Sequence, residues 1–243
     1  MNTVPEWDKG NEDVQKLLGV KWNPQDDQLK LKFKVKDNVS TKREALGATA
    51  SLYDPNGLVS PMTLSAKLYT QYLWTREYNW DANLDEKDRK KWEVIQKEIN
   101  GMNVSIPREV QLKKDGVVNI VMFADASAKS MAACIYVVES NNESKLLISR
   151  TKLAPLKLDP TIPKLELEAL LIGYSLAMYT VKSLIGACKP SNIHLTAYSD
   201  STTVIHWRNS EKEYKMSTFV ANRLKKMREL EEEIIKEWFN SEG

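Results

Sequence analysis

Val117-Val118-Asn119-Ile120-Val121-Met122-Phe123-Ala124 is a run of eight residues, nearly all apolar and rich in β-branched types, and it leads straight into Asp125-Ala126-Ser127. A run of this kind predicts a strand buried on both faces, which requires a sheet with covering helices rather than a bundle. It also delivers a carboxylate to the mouth of that sheet. A strand-end aspartate among small residues has two readings. It closes the strand with an Asx-type turn through Ala126 and Ser127, or it serves a site to which other elements bring further acids.

Downstream, Met131 to Val138 predicts a second buried strand, Asn141-Asn142 a turn, and Lys145 to Thr151 a third strand, together an antiparallel meander. Leu153 to Pro163 reads as a proline-punctuated loop. Lys164 to Ala187 then predicts a buried helix through Leu167, Leu170, Leu171, Tyr174, Met178, Val181, Leu184 and Ile185. Ile193 to Tyr198 is a fourth strand, expected to lie parallel beside the Asp125 strand because a helical crossover precedes it. Asp200-Ser201-Thr202-Thr203 opens a helix with Val204, Ile205 and Trp207. Thr218 to Phe239 closes the chain as an amphipathic helix through Phe219, Leu224, Met227, Leu230, Ile234 and Trp238.

The first half reads differently. Leu29-Leu31-Phe33-Val35 alternates with lysines, so Leu18 to Val35 predicts a hairpin turning at Asn23-Pro24-Gln25-Asp26-Asp27. Ser40-Thr41-Lys42-Arg43-Glu44 has capping-box form ahead of a helix over Ala45 to Tyr53, which Asp54-Pro55-Asn56-Gly57 stops. Helices are expected at Thr63 to Tyr78, with Leu64, Leu68, Tyr72 and Leu73 on the buried face, and at Asp85 to Ile99 around Trp92 and Ile95. Ile106-Pro107-Arg108 reads as an extended connection. Of the seven tryptophans, Trp7, Trp22, Trp74, Trp80 and Trp92 fall here, and they read as core plugs rather than as a stacking surface.

A formal charge of +2 announces no partner class, so nucleic-acid binding has to rest on local patches. Cys134 and Cys188 lack ligand-type spacing and read as reduced core residues, which suits an intracellular compartment whose choice between cytoplasm and nucleus stays open. His194 and His206 read as packing residues. No apolar run approaches the length of a membrane span, and the N-terminus lacks the pattern of a signal peptide.

Three acids change the weight of Asp125. Asp200 follows the fourth strand and Glu166 lies in the first turn of the crossover helix, an order that converges carboxylates at one edge of a sheet. Taken singly, Asp200 is a good helix N-cap and Glu166 complements a helix N-terminus. Taken together they repel unless divalent cations neutralise them, and hard oxygen ligands select Mg²⁺ or Mn²⁺. Glu168, two residues further along the helix, points elsewhere.

At these residues the chain resembles the ribonuclease H segment of Pao/BEL-type retrotransposon Pol polyproteins. The matching pieces are Phe123-Ala124-Asp125-Ala126-Ser127, Leu153-Ala154-Pro155-Leu156, Ile162-Pro163-Lys164-Leu165-Glu166-Leu167, Tyr198-Ser199-Asp200-Ser201-Thr202 with His206-Trp207, and Thr218-Phe219-Val220-Ala221-Asn222-Arg223. Upstream, Thr41-Lys42-Arg43-Glu44 and Leu52 to Pro61 resemble the segment joining reverse transcriptase to ribonuclease H. The resemblance implies an α/β fold, a ribonuclease H-like mixed sheet of three antiparallel strands plus a parallel fourth, flanked by helices and preceded by a small mostly helical domain with a β-hairpin. It divides the chain into a hairpin end of the reverse transcriptase region (1–38), a helical thumb- or connection-like segment (39–110) and a ribonuclease H-like domain (111–243).

By that resemblance Asp125, Glu166 and Asp200 are metal ligands for cutting the RNA strand of an RNA–DNA hybrid, with Mg²⁺ or Mn²⁺ as cofactor. The family pattern continues past the Phe219 helix into another strand and a fourth aspartate, whereas this chain runs Glu231-Glu232-Glu233-Ile234-Ile235-Lys236-Glu237 to Gly243, so the domain reads as C-terminally incomplete. The alternative reading is a catalytically inactive nucleic-acid-binding or vestigial transposon product. Lys212, Lys215, Arg223, Lys225, Lys226 and Arg228 offer phosphates a basic face in either case. Expected partners are an RNA–DNA hybrid or single strand and the rest of a Pol polyprotein, with no membrane. No Tyr-x-Asp-Asp polymerase motif and no Asp-Ser/Thr-Gly peptidase motif is present.

Overall fold

The computed structural model describes residues 15–17, 19–112, 116–138, 141, 143–156, 160–188, 190, 192–210 and 216–241, without the side chains of 188 and 237–241. It divides into two compact units, one comprising the chain up to Pro55 together with Val59–Val110, the other Asn56–Leu58 with Gln111 onward.

In the first unit, β1 (Gln15–Leu17), β2 (Val20–Asn23), β3 (Gln28–Lys32) and β4 (Asn103–Pro107) form a four-stranded antiparallel sheet in that order. The expected hairpin is β2–β3, and Asp27 takes a φ of 50° to close its turn. The segment read as a connection is instead β4, with Leu29 opposite Ile106 and Leu31 opposite Val104. Alternation on β3 and through the residues just after it seats Leu31, Phe33 and Val35 in the core and sends the intervening lysines outward.

Three helices complete the unit: α1 (Lys42–Ala50), α2 (Ser60–Trp74) and α3 (Glu86–Ile99). Thr41 caps α1 by accepting from the Glu44 amide, and Glu44 reaches back to the Ser40 amide at 2.9 Å. The Lys36 ammonium, and after it that contact, holds the Glu44 carboxyl down at about 2. The buried stripe of α2 is Thr63, Ala66, Tyr69, Thr70 and Leu73, so that of the expected face Leu73 is buried while Leu64, Leu68 and Tyr72 are half-buried beside the stripe. Hydrogen bonds satisfy the polar groups so buried: Thr70 Oγ1 donates to the Ala66 carbonyl within the helix and lies 2.8 Å from Thr49 Oγ1 of α1, and Tyr69 donates to the Asp88 carbonyl of α3. Trp22 and Trp92 are core plugs as expected. Trp74 and Trp80 are each 45% exposed and meet edge to face beside Lys42, while Trp7 lies outside the described residues.

In the second unit, β5 (Val117–Ala126), β6 (Ser130–Val138), β7 (Ser144–Leu153) and β8 (Asn192–Tyr198) make a sheet ordered β7-β6-β5-β8, with β5–β6 and β6–β7 antiparallel and β5–β8 parallel. This is the predicted mixed sheet. The crossover α4 (Ile162–Cys188) packs on β5 and β6 and buries Val118, Ile120, Met122 and Ala124 of β5, α6 (Thr218–Ser241) packs against α4, and α5 (Thr202–Asn209) follows β8. Contrary to expectation β5 is covered on one face only. Val117 and Phe123 on its other face are exposed, and Phe123 stacks on Tyr198 at 5.3 Å. A continuous apolar run cannot reveal that, because it looks the same whether one face or both are covered.

Two further expectations are corrected here. By length and composition Ile162–Ala187 is apolar enough to cross a membrane, with mean hydropathy 1.4, because its charges sit toward its ends and leave residues 169–181 uncharged. Half of that stretch is buried within the unit. His194 and His206 are exposed rather than packed, and His194 Nε2 lies 3.3 Å from the Asn192 amide.

Asn56–Leu58 lies along β7: the Ser149 amide donates to the Asn56 carbonyl at 2.9 Å, and the Ser149 hydroxyl donates to the Gly57 carbonyl. Gly57 has φ of 66°, and a Cβ there would collide with the Ser149 backbone. Gly57→Ala is therefore expected to destabilise the second unit by at least about 1–3 kcal/mol through strain alone, seen as a lowered urea midpoint. An unchanged midpoint would show that this segment contributes nothing.

Candidate metal centre

β5 and β8 run parallel with Phe123 opposite Tyr198, so the residues two further along each strand, Asp125 and Asp200, arrive side by side. Glu166 comes to the same place from the first turns of α4. That helix is held close to the sheet at Gly173, where a Cβ would lie 2.6 Å from Met122 Sδ. One carboxylate oxygen from each of Asp125, Glu166 and Asp200 lies within 4.8 Å of the others. The three acids that the sequence singled out are therefore brought together.

Their surroundings differ. Asp125 and Asp200 are exposed, and the N-cap of α5 is Ser201, so Asp200 is not spent on capping as its position suggested. Glu166 is only 7% exposed. It accepts a hydrogen bond from the Ala126 backbone amide, while its Oε2 is buried with no partner. Burial first, then the Asp125 and Asp200 charges, push the Glu166 carboxyl above the ordinary glutamate range. An unpaired buried carboxylate oxygen facing two further carboxylates is costly and unusual in a native fold. A hard divalent cation resolves the cost, since oxygen-only ligands suit Mg²⁺ or Mn²⁺. The donor set therefore fits such an ion.

The competing acids are occupied elsewhere. Glu168 accepts from Arg223 Nε, and Arg223 lies 3.5 Å from the Phe219 ring centroid. Glu231 accepts from Arg208, which also donates to Tyr174 Oη at 3.2 Å. Burial, helped by Glu231, pushes that phenol up to about 12. Among the described residues no fourth carboxylate joins the cluster, and the Glu237 side chain lies outside them.

Of the six basic residues proposed for phosphate contact, four are described. Lys212 and Lys215 lie outside the described residues. Arg223 is committed to Glu168, Lys226 pairs with Glu229 at 3.2 Å, and Lys225 and Arg228 are exposed on α6. Sequence reasoning missed the Ala126 amide that orients Glu166 and the Arg208–Tyr174–Glu231 contact linking three helices. Neither leaves a local signal, because each joins residues far apart in the chain.

The family model of the Pao retrotransposon-like RNaseH-like domain matches residues 41–201, a span that contains all three carboxylates. No curated protein matches. Among solved structures, the foamy viral protease–reverse transcriptase dRH in complex with double-stranded DNA is similar at 15% identity and a TM-score of 0.43, covering 90% of this chain and 36% of that one. The foamy viral protease–reverse transcriptase in complex with double-stranded DNA is similar at 15% identity and a TM-score of 0.27, covering 89% and 43%. This chain thus spans well under half the length of either. With about two thirds of its residues under the family model, the chain belongs to the Pao retrotransposon-like RNaseH-like family.

Proposed function

We propose that this chain hydrolyses the RNA strand of RNA–DNA hybrids with Mg²⁺ or Mn²⁺ held by Asp125, Glu166 and Asp200. The observation that carries the reading is Glu166 Oε2, buried and unpartnered where two other carboxylates converge. The bound ions supply an activated water and neutralise charge on the phosphate and the leaving oxygen. The protein's part is positional. The Ala126 amide fixes one Glu166 oxygen, and the β5–β8 register sets Asp125 beside Asp200. Nucleic acid is the macromolecular partner, the remainder of a Pol polyprotein the protein partner, and the setting intracellular.

A second reading, hybrid binding without cutting, draws on the engagement of Glu231 by Arg208, which leaves three carboxylates among the described residues. Losing one ligand from a two-metal site weakens one ion most. Incubation of a labelled RNA–DNA hybrid with the protein and Mg²⁺ or Mn²⁺ separates the two. Cleavage is expected, falling at least about 100-fold in Asp125→Asn, beyond the 10–100-fold cost of losing an outer-shell partner. No cleavage by folded protein in either metal would overturn the nuclease reading and leave binding.

A further inference from the structure

The first unit's sheet carries a feature that the carboxylate site does not use. Its register sets Lys16 opposite Lys21 and Lys21 opposite Lys30, so three lysines form one row across β1, β2 and β3. The row ends at Ser105 of β4. Along β3 the same face continues with Lys32, and the alternation carries on through Lys34 as Phe33 and Val35 turn inward. The rest of this face is uncharged: Asn23, Gln28, Asn103 and Pro107.

Like charges directly opposite on neighbouring strands are destabilising. Lysine on an edge strand is commonly explained as protection against edge-to-edge pairing, which accounts for Lys16 on β1. It does not account for Lys21, Lys30 and Lys32, which sit on the two interior strands. Local carboxylates do little to cancel the row. Asp26 lies 3.8 Å from Lys30, whereas Asp27 is engaged by Arg108 and Glu44 by Lys36. Lys16, Lys21, Lys32 and Lys34 have no carboxylate partner among the described residues.

We infer that this face, through Lys16, Lys21, Lys30, Lys32 and Lys34, is a docking surface for the phosphate backbone of a nucleic-acid duplex. Charge complementarity argues for a polyanion. The spacing suits it: the lysine positions lie about 4.8 Å apart across strands and about 7 Å apart along β3, and their flexible stems let the ammonium groups reach successive phosphates. The face holds no aromatic side chain, since Trp22 points to the opposite, buried side. Single strands are gripped largely by base stacking, so a grid of ammonium groups without rings suits the backbone of a paired helix, read without regard to sequence. The surface lies in a different unit from the carboxylates and does not depend on cutting.

The test uses the full chain as Asp125→Asn in EDTA, so that cleavage and metal play no part, with a fluorescent 20-base-pair duplex titrated from 50 to 200 mM salt. Lys21→Gln/Lys30→Gln/Lys32→Gln is expected to weaken binding and to lower the slope of log affinity against log salt by about 3, one unit per phosphate contact. Its thermal midpoint should hold or rise as like-charge pairs are relieved. Should that variant misfold, Lys16→Gln/Lys34→Gln on the same face is expected to lower the slope by about 2. Unchanged affinity and slope in a folded variant would overturn the inference. So would binding to phosphatidylserine vesicles, but not to duplex, that the substitutions abolish.

Discussion

Asp88→Ala is expected to cost the first unit about 1–3 kcal/mol for each tyrosine hydroxyl it leaves without a partner, against a total stability of about 5–15 kcal/mol for a typical domain. Asp88 is fully buried on α3. Its carboxylate accepts from Tyr72 Oη at 2.9 Å, Tyr78 Oη at 3.0 Å and Lys91 Nζ at 3.1 Å, with Arg76 Nε at 3.3 Å. Its amide donates to the Asp85 carboxylate that caps the helix, and its carbonyl accepts from Tyr69. Truncation strands the tyrosine hydroxyls in a site that water reaches poorly, whereas Lys91 and Arg76 can turn to solvent. A urea titration followed by tryptophan fluorescence should show the loss, because Trp92 packs against Tyr69 at 5.4 Å. Asp88→Asn, which keeps the volume and one acceptor, should fall between.

The pH dependence has a definite sign. Burial pushes the Asp88 carboxyl up, but hydrogen bonds from Tyr72, Lys91 and Tyr78 outweigh it and hold the group below its ordinary value of 3.8. A group depressed in the folded state contributes stability above its unfolded value and loses it as pH falls through the folded one. The gap between wild type and Asp88→Ala should therefore be full at neutral pH and narrow below about pH 4. A gap that is constant down to pH 3, or an effect below 1 kcal/mol, would show that the cluster is not what holds α2 to α3.

Glu166→Gln should do the opposite in the absence of metal. With chelator present, replacing the buried, unpaired carboxylate by a neutral amide relieves desolvation and repulsion from Asp125 and Asp200, a gain of about 1–3 kcal/mol on the scale of relieved buried charges, or several degrees in Tm. Saturating Mg²⁺ reverses the order. A ligand at 100 times its Kd stabilises by about 2.7 kcal/mol, which wild type should gain and the variant should largely forgo. A lower Tm for the variant in chelator, together with an undiminished response to Mg²⁺, would mean that Glu166 is a structural acceptor for Ala126 and not a ligand.

The site was legible in the sequence because its logic is short-range. Asp125 and Asp200 each end a strand, and a helical crossover forces those strands parallel, so only Glu166 had to be placed by helix phase. What could not be read depended on distant partners. β4 joins β3 across roughly 70 residues of intervening helices, and nothing in Asn103-Val104-Ser105-Ile106-Pro107 names its neighbour. The burial of Asp88 leaves no local signal in its charged helix, because its tyrosines come from α2 and the loop that follows. Period-two alternation separates Phe123 from Met122 but does not say which of them meets a helix, and Trp74, Trp80 and the histidines were misplaced for the same reason.

The shared register of β5 and β8 also acts as a filter on length. Insertions in the loop between β7 and α4 leave the pairing of Phe123 with Tyr198 untouched. A single residue gained or lost within β8 would reverse the facing of everything beyond it. Asp200 would then be carried away from Asp125 while most of the ladder hydrogen bonds could re-form. The carboxylate cluster is therefore more fragile to one-codon changes in length than the fold's stability is, and it can be dispersed without leaving an unfolded protein behind.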